Sequence, residues 1–574
     1  MGIRNFSALG FQNRIISFMF IVISASLLLG SSVFYDRLNG RLEVFDNHES
    51  ADKDVYIYSK EVPELKIKPF FTDDREFCLL IPFTDKSWAW YVPQGASLSI
   101  DGTSYNTGDD MRHYDENDKH SFIFIQDGVT AEWYMECIYA DDMPVVSISL
   151  DENDWISINS EELPSTKFEA DLTLVNQDGT VGFNGLCRMG GHGNATWLKC
   201  KKKSYEIKLF NEVSLLDMGR SKGWNIIANA MDPSNLKNMI VYEAARESGY
   251  EYSVGCSYIN LYVNGMYYGL YLLTEKPVAG GCITFTDDLE KDNIKMSTSE
   301  DYTPVLKNKG TNDEIRYYDM NSNPVNISGS YLLEFDRYDE TLDESSDESW
   351  FMTEKATDIG SCGYQVLIKQ PKIATESELM YIKNYVRNAE NAIYSKNGID
   401  PESGVNFRDC IDIYSWGMTY LFMDFFAYQD YSAGSLFFYK KRNDDLLYSG
   451  PVWDYDKCMT DDYYSEEPFP WYEKNDIYLW YERMGHFDDF HDQVVRNYCS
   501  ELSPILQNII DNELPGWRKI IAPSEKMDEI RWRMDQGYES YRGDLVQDWL
   551  IRRKDLFDSV WIRGEKSSYA DNVY

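Results

Sequence analysis

The sequence predicts an α+β chain in which a small all-β module precedes a larger mixed body. Three observations predict it. Short alternating apolar runs, broken by Gly/Asp turns, fill residues 55–140. Longer strands and the first convincing helix follow from Met143, and helical patterns dominate after Thr375. At about 100–200 residues per domain, the 574 residues leave room for several cores. An aromatic content of 15% argues against long disordered stretches. Lys and Arg total 55 against 95 Asp and Glu, a formal charge of −40. Such a surface repels phosphate backbones and excludes nucleic-acid binding as the main task, while leaving room for a local basic pocket for a small phosphate ligand.

Taken in order, Arg4 and Arg14 precede an uncharged stretch, Ile15–Tyr35, long enough to cross a bilayer as a helix. Positive residues before it and Asp36 after it place the body on the outer, extracytoplasmic side. Residues 1–36 read as a signal peptide or a signal anchor, and both readings stay open. Residues 37–53 read as a linker and 54–142 as a sandwich-like all-β module. In the body, Pro144–Ser149 and Phe168–Leu174 read as strands, followed by a Gly-rich turn and two more strands. A helix is expected from Ser234 to about Glu247. The runs Tyr258–Val263 and Tyr268–Leu273, with Asn264-Gly265 between them, predict a hairpin. The polar stretch 283–328 reads as a long loop or insertion. A second strand pair is expected at Tyr331–Phe335 and Tyr364–Ile368, with the acidic run Asp336–Glu348 between them as a solvated loop. One β segment, Ser435–Val452, interrupts the helices that follow. Ten scattered cysteines form no CxxC pair and no His lies at zinc spacing, so buried free thiols are expected rather than a disulfide scaffold.

Four features carry chemistry. Arg188-Met-Gly-Gly-His-Gly193-Asn194 contains glycines that let backbone N–H groups approach an anion, although such a loop is more often a tight turn. Lys208 lies on the strand just after it, where it has the reach to pair with phosphates; a surface lysine is the ordinary alternative. Asp232-Pro233-Ser234 opens the helix that carries Glu243, which would hold Lys208 by an ion pair if it points inward. Finally, an apolar helix, Tyr414–Tyr428, runs into Asp430, then a short hairpin, then Trp453-Asp454-Tyr455-Asp456. A helix, an Asp in a loop, a hairpin and an Asp on a strand end is the order protein kinases use. There the first Asp serves the acceptor hydroxyl and the second holds Mg²⁺.

At this point the chain resembles the spore-coat-protein-H-type (CotH) kinase family, a divergent, secreted branch of the protein-kinase fold. The resemblance is carried by Gly193-Asn-Ala-Thr-Trp197, Lys202–Leu209, Asn229–Asn238, Tyr262–Glu275, Tyr331–Asp336 and Gly450–Asp456. It implies a two-lobed kinase-like domain over residues 143–574, with an N-lobe at about 143–280 and a C-lobe at about 370–574. It further implies ATP with Mg²⁺ or Mn²⁺ as cofactors and Ser or Thr hydroxyls of secreted or cell-surface proteins as acceptors. Lys208 would contact the ATP phosphates, and Glu243 would orient it. Arg188, Gly193 and Asn194 would form the phosphate loop, Asp430 would serve as base or acceptor positioner, and Asp454, with Asp456 as close rival, would bind the metal. Three positions depart from the family pattern. His192 stands in place of Arg, Thr460 in place of Gly, and Ser435 in place of the Asn that supplies the second metal ligand. These departures support the alternative of a catalytically inactive surface, coat or adhesin protein.

Overall fold

The computed structural model describes residues 55–565 apart from 74, 117, 163, 297–301, 312, 321–325, 337–347, 356–363, 429–433, 461–478 and 537–542. The apolar stretch Ile15–Tyr35, Asp430 and most of the acidic run after Asp336 lie outside the described residues. Among the described residues, no helix is long and apolar enough to cross a membrane.

The N-terminal region is all-β. Its strands are β1 (Tyr56–Ser59), β2 (Lys66–Ile67), β3 (Phe70–Asp73), β4 (Glu76–Pro82), β5 (Trp88–Tyr91), β6 (Ser97–Ile100), β7 (Thr103–Tyr105), β8 (His120–Gln126) and β9 (Val129–Ala140). They form a three-stranded sheet, β2-β1-β5, and a six-stranded sheet, β3-β4-β9-β8-β6-β7. Phe77, Trp90, Phe122 and Phe124 are buried in their shared core.

A closed barrel follows, in the order β10-β11-β12-β13-β14-β16-β15. Its elements are β10 (Val145–Ser149), α1 (Glu152–Ser160), β11 (Lys167–Val175), β12 (Val181–His192), α2 (Ala195–Lys199), β13 (Ser204–Ser214), β14 (Arg220–Ile227), α3 (Lys237–Glu247), β15 (Cys256–Val263) and β16 (Met266–Glu275). Strand alternation decides which side chains fill it. Tyr205, Ile207 and Leu209 of β13 are buried inside, so Glu206 and Lys208 lie on the outer surface. The expected hairpin is β15–β16; Asn264 and Gly265 both have positive φ, 51° and 82°, as a two-residue primed turn requires.

The helix expected from Ser234 begins at Lys237. The preceding residues are drawn into a buried turn instead: Asp232 accepts the backbone N–H of Ser234 and of Lys237, each at 2.9 Å. Asp232 thus caps the helix from five residues away, since Leu236 at the N-cap offers no side-chain acceptor.

A second, seven-stranded sheet has the order β17-β18-β20-β21-β19-β22-β23. Its elements, with intervening helices, are α4 (Leu289–Met296), β17 (Thr303–Lys307), β18 (Ile315–Asp319), β19 (Tyr331–Asp336), β20 (Ser349–Met352), β21 (Gln365–Gln370), α5 (Glu376–Tyr394), α6 (Ile413–Phe425), β22 (Leu436–Lys440) and β23 (Leu447–Ser449). The expected strand pair is present as β19 and β21, in antiparallel register. The stretch 283–328, expected as a long loop, instead supplies α4, β17 and β18. Its strand signal is weak because β17 is an edge strand of half-buried and exposed residues. The remaining helices are α7 (Leu479–Gly485), α8 (Asp488–Asn497), α9 (Ser503–Asn508), α10 (Leu514–Gln536) and α11 (Gly543–Trp561). One large core joins α3, the second sheet and these helices. Helix α10 also reaches back. Met527 enters the core of the all-β region, and Trp532 donates to the carbonyl of Tyr268 on β16 at 2.9 Å. The nine described cysteines are free thiols.

Candidate functional site

The Gly-rich segment closes β12 and turns through α2 into β13. Its glycines do two different jobs. A Cβ on Gly190 would stand 2.6 Å from the Thr166 carbonyl and 2.9 Å from Lys167 Cγ, and one on Gly191 would strike the Trp197 ring at 2.5 Å. Those two admit close packing of the barrel's own groups. Gly193, at φ 97°, is the one in a conformation that favours glycine. Asn194 is exposed at the start of α2, with no side-chain cap hydrogen bond. Lys203 pins the turn by donating to the Trp197 carbonyl at 2.7 Å, its ammonium 4.3 Å from that ring's centroid.

Lys208 and Arg188 are direct cross-strand neighbours, and both are exposed on the outside of the barrel. The expected ion pair from Glu243 to Lys208 is not formed. Glu243 instead accepts from Arg246 Nε at 2.9 Å, and it stands in a carboxylate group with Glu247 and Glu513. The reason is helical phase: three residues along α3 bring Glu243 and Arg246 to one face, which turns toward the C-terminal helices. Burial and the two neighbouring glutamates push the Glu513 carboxyl up.

What the outer barrel face does present is Glu206. It is ion-paired with both Lys276, just beyond β16, and Lys167, at the start of β11. Lys276 lies across Gly223, where an added Cβ would come 3.3 Å from Lys276 Cδ. Burial, then Lys167 and Lys372, pushes the Lys276 ammonium down to about 7, against the pull of the adjoining Glu206. His192 is pushed down to about 4 by burial and by the charges of Lys276 and Lys167. Two lysines thus share one carboxylate, with a neutral imidazole within reach of their charge.

Helix α3 faces the loop that carries Asp454 and Asp456. Lys237 Nζ donates to the Asp456 carbonyl at 3.3 Å, and Asn238 Oδ1 accepts the Tyr455 N–H at 2.9 Å. Tyr242 accepts the Asp454 N–H at 3.2 Å, and its ring stacks on Trp453 at 5.7 Å. Tyr428, just beyond α6, stacks on Tyr455 at 4.2 Å. Asp454 holds φ 64°, a left-handed conformation that the clamp from α3 maintains. Asp456 is buried and faces the Gly-rich side; burial and the Asp456 charge together push the Cys200 thiol up. Helix α3 and the Asp454–Asp456 loop therefore meet, and Cys200, just after α2, lies within electrostatic reach of Asp456.

Ser435 is placed on a different neighbour. At φ 67° it immediately precedes β22 and donates its N–H to Glu334 Oε1 at 2.8 Å, while Glu334 pairs with Lys369 at 3.1 Å. Asp430 lies outside the described residues, between Tyr428 and Gly434. Lys276, Lys167, Lys237 and Tyr242 were missed in the sequence. Lys237 and Asn238 fall inside the 229–238 block, but nothing in their spacing distinguishes a site lysine from a surface one.

No curated protein matches the chain. A comparison with protein-family models matches residues 190–556, more than half of the chain, to the family described as CotH kinase protein. The match takes in the Gly-rich turn, α3 and the Asp454–Asp456 loop, and the chain belongs to that family.

Proposed function

We propose that the chain is an exported kinase that transfers the γ-phosphoryl group of ATP, with Mg²⁺ or Mn²⁺, to Ser or Thr hydroxyls of secreted or surface proteins. The observation that carries this reading is the Asp454–Asp456 loop clamped against α3, in a family match that also takes in the Gly-rich turn. Phosphoryl transfer asks little covalent chemistry of a protein. It needs cations against the phosphates and a carboxylate beside the acceptor oxygen. The two aspartates are hard oxygen donors of the kind Mg²⁺ takes, and they are the residues that would hold it. The metal would neutralise charge on the phosphates. Asp430 would orient the acceptor hydroxyl and receive its proton. Within the barrel, β12, β13 and β14, then α3, then β15 and β16 follow in that order, with β16 returning beside β14, and this supports a kinase-like small lobe. The apolar stretch Ile15–Tyr35 supports export.

Incorporation of labelled phosphate by the purified chain, with Mg²⁺ and with Mn²⁺, tests the proposal against Asp430→Asn and Asp454→Asn controls. Incorporation no greater than in those variants, with either metal, overturns it. One observation favours a binding-only surface or coat protein: Ser435 replaces an amide metal ligand, and its backbone is engaged with Glu334. For that reading, a thermal shift with ATP and metal but no phosphoryl transfer is the expected result.

A further inference from the structure

The kinase pattern uses a strand lysine held by a glutamate of the following helix. In this chain Glu243 is engaged with Arg246, and Lys208 is exposed beside Arg188. Another lysine–glutamate pair exists, built on the barrel itself. We propose that Lys276, held by Glu206, is the lysine that contacts the phosphates of a bound nucleotide, with Lys167 beside it on the same carboxylate.

Four observations converge on this. Glu206 grips Lys276 and Lys167 together, so each ammonium has one shared carboxylate and donor capacity to spare. Two lysines on one carboxylate leave net positive charge, in a chain whose overall charge is −40. The stem of Lys167 packs on Gly190 of the Gly-rich segment, which sets the pair at the turn expected to cover phosphates. Lys276 also lies across Gly223, where an added Cβ would come 3.3 Å from its Cδ. The assignment deepens the kinase reading and rests on it.

The test is lysine acylation by an acyl phosphate of ATP on the full-length protein, mapped by peptide mass spectrometry with and without excess ATP. In that reaction an unprotonated ε-amine attacks the acyl carbonyl. An amide C–N bond forms, the acyl C–O bond breaks, the nucleotide leaves with the electron pair, and the amine's proton passes to water. ATP-protected labelling at Lys276 is the expected result. Protected labelling at Lys208 or Lys237 without Lys276 overturns the assignment and leaves the kinase reading standing. Labelling of exposed lysines with no ATP protection anywhere overturns the kinase reading, and the assignment with it. As a second measurement, Lys276→Met should weaken ATP binding at least tenfold, with Lys276→Arg regaining part of the loss. The exposed Lys291→Met serves as control, and an unchanged affinity in Lys276→Met refutes the role.

Discussion

Removing the carboxylate of Asp528 should be among the most damaging single changes in this protein. Lys202 and Asp528 form an ion pair at 2.8 Å with both side chains fully buried. The ammonium also donates to the Leu270 carbonyl at 2.7 Å, and the carboxylate accepts the Leu270 N–H at 3.0 Å. The pair passes so close to β16 that a Cβ on Gly269 would lie 2.5 Å from Asp528 Oδ1. It joins α10 to the strand leaving the Gly-rich turn. Breaking a buried pair by deleting one partner costs about 3–5 kcal/mol, and the orphaned Leu270 N–H adds about 1–3 kcal/mol. Asp528→Ala is therefore expected to lose about 4–8 kcal/mol, read from urea unfolding followed by tryptophan fluorescence. Lys202→Met/Asp528→Leu removes both charges and should recover about 3 kcal/mol of that loss. The sign of the pH dependence follows from Lys202. Burial already lowers its proton affinity, with Asp528 opposing. Without Asp528 the folded state binds fewer protons than the unfolded state up to the unfolded lysine range. The stability of Asp528→Ala should then rise between pH 7 and 10, by at most about 1.4 kcal/mol per unit. A loss under about 1 kcal/mol in the single variant, or a double variant no better than the single, would refute this reasoning.

Two further outcomes are expected. His192 titrates near 4 in the folded chain, below its unfolded range, so the unfolded state binds the extra proton. Stability should fall as pH drops from about 6.5 toward 4, and His192→Gln should flatten that part of a pH series of melting temperatures. Tyr242→Phe strands the Asp454 N–H while keeping the ring stacked on Trp453, so a loss of about 1–3 kcal/mol is expected. Mn²⁺ affinity measured by electron paramagnetic resonance in the presence of ATP should fall with it, whereas an unchanged affinity would show that the loop needs no clamp from α3.

The sequence by itself determined the all-β region, the β15–β16 hairpin and the strand pair β19–β21. These depend on local signals: alternation, and a two-residue turn that only a few residue types accept. It also singled out the Asp454–Asp456 block, from the order of helix, loop and hairpin that precedes it. Tertiary structure alone decided which charges meet. Glu243 and Lys208 are separated because helix phase and strand direction are set by packing. Lys276 finds Glu206 because barrel closure lays β16 beside β14, over a glycine that leaves room. Lys202 and Asp528 lie 326 residues apart in the chain, and only the return of α10 to the barrel brings them together. An ion pair is a property of two positions in space, and no local pattern in one strand records where its partner will come from.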